Sequence, residues 1–217
     1  MPYGLYVFDL DGTLVNSRRD LADAANELVM QCGGAPLDEE RIGRMVGEGP
    51  ALLVARVFEA SGLPQPADAL ARYLAIYEGR LLNHTRVYQG MADVLEALGR
   101  HAQLAVLTNK PLAPTRRILA GLDLAHYFPE SAVFGGDGPF PRKPDASGLR
   151  HLSAQAGVPV SATLLVGDSA IDLETARNAG AAICLAEYGF GFGTVPRGAV
   201  SSAELTIREP RELLFNV

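Results

Sequence analysis

The sequence predicts an α/β fold in which helices cover both faces of a parallel sheet and a helical insertion follows the first strand. From about residue 85, short apolar runs of strand length alternate with amphipathic stretches of helix length, which is typical of a parallel sheet. Residues 18–82, in contrast, show helical patterns throughout. The chain has 217 residues, 48% of them hydrophobic, which suits one domain or one domain with an insertion.

The first predicted strand is the apolar segment 5–10, which is interrupted only by Asp9. Asp11 and Gly12 follow, so two carboxylates stand one residue apart where a buried strand meets a turn. Like charges this close repel each other unless a cation or a proton offsets them. The pair suggests a metal-assisted site for a phosphate or another anion, although a calcium loop or a polar turn without chemistry would also explain it.

The insertion contains four segments with helical patterns, at 21–29, 38–45, 51–60 and 70–81. Glycines close the first of them at Gly33 and Gly34. Tyr73 and Tyr77 lie on the apolar stripe of the last segment and are expected to belong to the core of the insertion. The strand at 5–10 needs neighbours to pair with, so it is expected to join the later sheet.

The rest of the chain alternates strands and helices. Strands are predicted at 104–107, 132–134, 163–166 and 182–185, and helices at 91–98, 114–121, 146–156 and 171–179. Gly157 and Gly180 follow two of these helices, as is common at helix ends. The glycine-rich segment after Tyr188 is expected to be a loop that leads to a last short strand near 205–207.

Composition and charge argue against several classes of protein. The net charge is −6 without any basic run, whereas nucleic-acid binding depends on clustered Lys and Arg. No apolar run approaches the roughly 20 residues of a membrane helix, and the first residues lack the basic start of a signal peptide. Cys32 and Cys184 lack metal-type spacing and are expected to be reduced thiols. A cytoplasmic protein without a nucleic-acid or membrane partner is therefore expected.

Three of the predicted strands end in polar residues. Ligands bind at the carboxyl ends of the strands of a parallel sheet, so these side chains are expected to meet at one edge. Lys143 precedes a predicted helix, is positioned by Pro144, and is expected to reach the same edge. The residues that follow the three strands are Asp9 and Asp11, Thr108 and Asn109, and Asp168 and Asp172.

Together these residues indicate phosphoryl transfer. Mg²⁺ prefers oxygen ligands and is usually held by one or two carboxylates together with water and phosphate. Asp9 and Asp168 fit as its ligands, and the other candidate ligands are Asp11 and Asp172. The alternative for Asp168 and Asp172 is a helix cap with an acid in the first turn.

The remaining roles follow from the same chemistry. Asp9 can attack phosphorus and become an aspartyl-phosphate, while Asp11 is placed to protonate the leaving oxygen and later to activate water. Lys143 and Thr108 would stabilise the charge on the phosphoryl oxygens. Taken alone, Thr108-Asn109 is also common in turns, and an isolated lysine is more often a surface residue.

The order of these motifs resembles the haloacid dehalogenase superfamily. All four motifs of that superfamily occur in sequence: Asp9-x-Asp11-Gly-Thr13, Thr108-Asn109, Lys143-Pro and Gly167-Asp168-Ser-x-x-Asp172. The resemblance implies a Rossmann-like core at 1–17 and 83–217 with a mobile cap domain at 18–82. It also implies a Mg²⁺-dependent phosphatase that acts on a small phosphorylated metabolite through an aspartyl-phosphate on Asp9, with phosphate contacts from Thr108, Asn109 and Lys143.

Within the superfamily the chain looks most like the phosphoglycolate phosphatases. Residues 9–17 are similar to the start of those enzymes, and residues 46–49 resemble their cap loop, which makes Arg44 and Glu48 candidate substrate contacts. Asn16 stands where those enzymes usually have Asp, and the segment Lys143-Pro144-Asp145 departs mildly from their usual Lys-Pro-x-Pro. These departures leave the chemistry unchanged and the substrate open. A pyrophosphatase, a nucleotidase and a sugar-phosphate phosphatase remain alternatives.

Two other classes compete with the phosphatase. A phospho-acceptor receiver domain also places acids, a Thr or Ser and a Lys at the edge of a parallel sheet. Its phosphorylated aspartate would be expected well inside the chain, however, and it needs no helical insertion. A silent binding module on the same fold is the third possibility. The sequence does not indicate an oligomeric state.

Overall fold

The computed structural model describes residues 3–202 and 204–215. The remaining residues of the predicted core domain, Met1, Pro2, Ala203, Asn216 and Val217, lie outside this description. The strands are β1 (Leu5–Phe8), β2 (Val15–Asn16), β3 (Arg86–Val87), β4 (Gln103–Leu107), β5 (Val133–Phe134), β6 (Thr163–Gly167), β7 (Ala182–Ala186) and β8 (Leu205–Ile207). The helices are α1 (Arg18–Gln31), α2 (Glu39–Gly43), α3 (Pro50–Ser61), α4 (Ala69–Glu78), α5 (Met91–Gly99), α6 (Leu112–Gly121), α7 (Ser147–Gln155) and α8 (Ala170–Ala179).

Six strands form one sheet in the order β5-β4-β1-β6-β7-β8, and every pairing in it is parallel. Tyr6 and Phe8 of β1 pack into one hydrophobic cluster, while Leu5 and Val7 pack into a second cluster on the other face. Both faces are therefore covered, as the continuous apolar strands predict. The predicted α/β fold with a parallel sheet is confirmed, and β1 lies between β4 and β6.

The helical insertion, residues 18–82, holds α1 to α4 and is bounded by a two-stranded antiparallel ribbon that the sequence did not reveal. Val15 of β2 pairs with Val87 of β3, and Asn16 pairs with Arg86. Strands of two residues are too short to show any periodicity. Beside the ribbon, the buried carboxylate of Asp20 accepts hydrogen bonds from the backbone of His84 and Thr85, which ties the two connecting segments together.

Several predicted boundaries moved by a few residues. The first strand ends at Phe8 and not at residue 10, because the chain turns at Gly12, whose φ of +91° favours glycine. The fourth helix of the insertion ends at Glu78, although Leu81 beyond it is still buried. The last strand lies at 205–207 as predicted. Within the described residues, no helix combines the length and apolar character that crossing a bilayer requires.

Candidate active site

Two adjacent central strands bring the predicted acids to one edge of the sheet. Asp9 follows β1, Asp168 follows β6, and Asp172 lies in the first turn of α8. Each of the three offers a carboxylate oxygen, these oxygens lie within 4.8 Å of one another, and all three residues are buried. Ser169 caps α8 and exchanges hydrogen bonds with Asp172, so the capping alternative is also correct and coexists with the cluster.

Glycines make room for this cluster. A Cβ atom on Gly12 would lie 1.9 Å from Oδ2 of Asp168, and one on Gly189 would lie 2.2 Å from the Cβ atom of Asp168. The backbone N–H of Gly191 donates a hydrogen bond of 2.7 Å to the same Oδ2. The glycine-rich segment after Tyr188 therefore lies against the cluster and holds one of its carboxylates, which the sequence did not indicate.

Lys143 lies inside the cluster as the sequence predicts. Its Nζ is 2.8 Å from Oδ1 of Asp9 and 2.6 Å from Oδ1 of Asp172, and the residue is only 5% exposed. Asn109 fixes the backbone of Lys143: its Oδ1 accepts from the N–H and its Nδ2 donates to the carbonyl oxygen. The same Nδ2 donates to the carbonyl of Gly47 in the insertion. The side chain of Asn109 is thus used to position other residues.

The cluster carries more negative than positive charge. Burial raises the pKa of Asp9 to about 6, against the opposing effect of Lys143. Burial, together with Asp172 and Asp9, raises the pKa of Asp168 well above its usual range. For Lys143, burial acts to lower the pKa, but the two carboxylates outweigh it and raise the pKa. Buried oxygen donors with excess negative charge suit a hard divalent cation such as Mg²⁺, so these residues fit the metal that the sequence predicts.

The metal-free protein is expected to lose stability as the pH rises from about 4 to about 6. Because the folded-state pKa of Asp9 lies above the ordinary value of 3.8, the folded state binds this proton more tightly than the unfolded state. The contribution to stability is present below pH 4 and is lost as the pH passes the folded-state pKa. Asp9→Asn mimics the protonated form, so above pH 6 it should be more stable than the wild type by up to roughly 3 kcal/mol.

Urea unfolding in the presence of EDTA between pH 4 and pH 8 checks this expectation. The free energies of unfolding of the wild type and of Asp9→Asn should converge near pH 4. A difference that is the same at every pH would contradict it.

Asp11 lies beside the cluster and has other partners. Its two oxygens lie 3.0 and 2.7 Å from Nζ of Lys110, and Oγ of Ser17 donates a third hydrogen bond to it at 2.5 Å. Asp11 as a metal ligand stays a prediction. Lys110 was missed, although it directly follows Thr108-Asn109 at the end of β4. Lys110 and Lys143 are the two lysines of the chain, and both are buried at this site.

A cavity of about 50 Å³ lies between the strand ends and the helical insertion. The sheet side of its wall includes Asp9, Asp11, Thr108, Asn109 and Asp168, and the insertion side includes Gly47, Gly49, Leu53, Tyr73 and Tyr77. Thr108 is buried and its hydroxyl accepts a hydrogen bond from the backbone of Lys110. The cavity holds a few water-sized groups.

Two candidate substrate contacts do not line the cavity. Arg44 is exposed, and Glu48 forms an ion pair with Arg56 of α3. Both residues are close in sequence to Gly47, which does line it. Their roles as substrate contacts stay predictions.

The comparisons with known proteins agree with the motifs. The family model for haloacid dehalogenase-like hydrolases matches residues 6–186. A phosphoglycolate phosphatase of Rhodospirillum rubrum is 46% identical over 193 residues, which cover 85% of this chain and 79% of that protein. A plasmid-encoded phosphoglycolate phosphatase of Cupriavidus necator is 36% identical over 197 residues, or 88% and 83% of the two chains.

The fold of the chain is similar to that of a solved structure. The crystal structure of a predicted phosphoglycolate phosphatase from Haemophilus somnus matches with a TM-score of 0.90 at 27% identity, and the match covers 100% of this chain and 98% of that one. The similarity therefore extends over the helical insertion as well as the sheet.

Proposed function

The chain belongs to the haloacid dehalogenase-like hydrolase family, and from this premise we propose that it is a Mg²⁺-dependent phosphatase acting on a small phosphorylated metabolite. The observation that carries the proposal is the buried cluster of Asp9, Asp168 and Asp172 around Lys143. Phosphoglycolate is the first candidate substrate, because two relatives that cover most of the chain are phosphoglycolate phosphatases.

The proposed reaction has two steps on the side chains of this protein. In the first, a carboxylate oxygen of Asp9 attacks phosphorus, the bond from phosphorus to the ester oxygen breaks, and Asp11 donates a proton to the leaving alcohol. In the second, Asp11 takes a proton from water, which attacks the aspartyl-phosphate and releases inorganic phosphate. Lys110 and Ser17 hold the carboxylate of Asp11 in place through their hydrogen bonds.

Charge stabilisation is divided among fixed groups. Mg²⁺, when bound by Asp9, Asp168 and Asp172, supplies positive charge next to the phosphoryl oxygens. Lys143 adds a second cation that is already in place, because Asn109 fixes its backbone. Thr108 lines the same cavity, and its hydroxyl is proposed to donate to a phosphoryl oxygen.

We propose that residues 18–82 act as a cap over a core of residues 1–17 and 83–217. The cavity lies between these two parts and is lined by residues of both. Closure over a small substrate would exclude bulk water from the reacting groups. Arg44 and Glu48 belong to the proposed cap and stay candidate contacts for its open form.

A cytoplasmic location is part of the same proposal.

Hydrolysis of p-nitrophenyl phosphate is expected to require Mg²⁺ and to stop when EDTA is added, because the carboxylate cluster then loses the cation that offsets its charge. A panel of phosphoglycolate, pyrophosphate, a nucleoside monophosphate and a hexose phosphate should rank phosphoglycolate first by kcat/KM.

The outcomes separate the alternatives. No turnover of any phosphate ester would refute the phosphatase, and a phosphoprotein that lasts for minutes after acetyl phosphate treatment would favour a receiver domain. A different order of rates would refute the substrate and leave the chemistry intact. An increase in Tm on adding Mg²⁺ to the EDTA-treated protein is the corresponding readout without turnover.

A further inference from the structure

Two tyrosines of the helical insertion line the active-site cavity, and the mechanism above does not use them. Tyr73 and Tyr77 lie one turn apart on α4, are 1% and 4% exposed, and share the cavity with Asp11 and Lys110. Their rings are parallel within 5°, with centroids 5.9 Å apart. Their rings are buried in the core, as the sequence predicts. That prediction gives no role to their hydroxyls.

Both hydroxyls are buried, and neither has a hydrogen-bond partner in the described part of the chain. A buried hydroxyl without a partner costs about 1–3 kcal/mol, so in a native protein it needs an explanation, such as a group that is absent from the structure. Nζ of Lys110 lies 4.6 Å from the centroid of the Tyr77 ring, which places the pair beside the proposed acid–base residue. Burial raises the pKa of both phenols, and Asp11 adds to this, so both hydroxyls remain hydrogen-bond donors.

We propose that the hydroxyls of Tyr73 and Tyr77 donate hydrogen bonds to the carboxylate of the substrate and so select a phosphorylated two-carbon acid. The proposal rests on the proposed function, because the phosphoryl group must occupy the strand ends for the other end of the substrate to reach α4. Two donors suit the two oxygens of a carboxylate. Leu21, Leu53 and Leu74 of the insertion also line the cavity, and they offer no hydrogen-bond partner to the hydroxyl groups of a sugar.

The test compares phosphoglycolate with ethyl phosphate, which has the same two carbons and lacks the carboxylate. Phenylalanine keeps the stacked rings and removes only the hydroxyls. In the double variant Tyr73→Phe/Tyr77→Phe, kcat/KM for phosphoglycolate is expected to fall about 10- to 100-fold, while that for ethyl phosphate stays within about two-fold. The matched control is Tyr127→Phe, which lies with Leu5 and Gln103 near the amino-terminal ends of β1 and β4 and should change neither value.

A stability measurement distinguishes the proposal from a structural role. Without substrate, the Tm of the double variant should equal or exceed that of the wild type, because the removed hydroxyls had no partner. A lower Tm, equal losses with both substrates, or no loss with either would overturn the proposal. Equal kcat/KM of the wild type for the two substrates would also overturn it and leave the phosphatase standing. If the wild type hydrolyses neither substrate but turns over p-nitrophenyl phosphate, the selection of a two-carbon acid is refuted and the phosphatase stands. Only the absence of turnover of any phosphate ester would refute the proposed function itself.

Discussion

Replacing Asp9 with asparagine is expected to lower kcat for phosphoglycolate by about 10⁴-fold or more, since removing a catalytic nucleophile commonly has effects of this size. An amide oxygen is a far weaker nucleophile than a carboxylate, so the aspartyl-phosphate cannot form at a useful rate. The side chain keeps its shape, and the variant should fold, with a gain in metal-free stability at neutral pH. Release of inorganic phosphate under saturating substrate measures the loss.

A second aspartate provides the matched control. Asp123 is fully exposed and has a positive φ of 56°, a conformation that asparagine adopts readily. Asp123→Asn should therefore retain wild-type kcat. Rapid acid quenching during turnover should trap phosphate on the wild type and none on Asp9→Asn. Wild-type kcat in the Asp9 variant would show that another residue is the nucleophile.

Replacing Lys143 with methionine is expected to lower the free energy of unfolding of the metal-free protein by about 3–5 kcal/mol, as is typical when one partner of a buried ion pair is removed. Asp9, Asp168 and Asp172 would then share one buried site without a side-chain cation. We also expect kcat/KM to fall by roughly 10²- to 10³-fold, because a fixed charge beside the phosphoryl oxygens is lost. Urea unfolding and steady-state kinetics measure the two effects.

A double variant tests whether the cause is charge. In the Lys143→Met background, Asp172→Asn removes one uncompensated carboxylate and should restore part of the lost stability. If Asp172→Asn destabilises the Lys143→Met protein further, packing and not electrostatics accounts for the loss. Arg116→Met replaces an exposed cation on α6 and should change stability by less than about 0.5 kcal/mol.

The sequence correctly predicted that distant residues meet wherever a general rule of sheet structure brings them together. Asp9, Thr108 and Asp168 were expected together because the carboxyl ends of parallel strands meet at one edge, and β4, β1 and β6 are adjacent in the sheet. The long reach of Lys143 to the same edge followed from its position before a helix. These inferences needed only the order of the elements and the alternation of strand and helix.

The parts that were missed depend on packing between segments that are far apart in the chain. Periodicity shows that Tyr73 and Tyr77 face inward, but it does not show that they line the cavity. Lys110 and Asp11 are 99 residues apart, and Gly191 reaches Asp168 from a loop with no regular pattern. The contacts of the two tyrosines and of Gly191 follow from how the insertion and the last loop fold over the sheet edge, which local sequence does not encode. Lys110 lies at the end of β4 beside β1, where the rule for strand ends also applies.

The two lysines have a practical consequence. The other 17 of the 19 Lys and Arg residues are arginines, so the two side-chain amines of this protein lie buried at the candidate active site. Apart from the amino group of the first residue, an amine-directed label has nothing to react with on the surface. Lysine labelling followed by mass spectrometry therefore reports on these two residues alone, and occupancy of the cavity should slow it at Lys110, which lines the cavity.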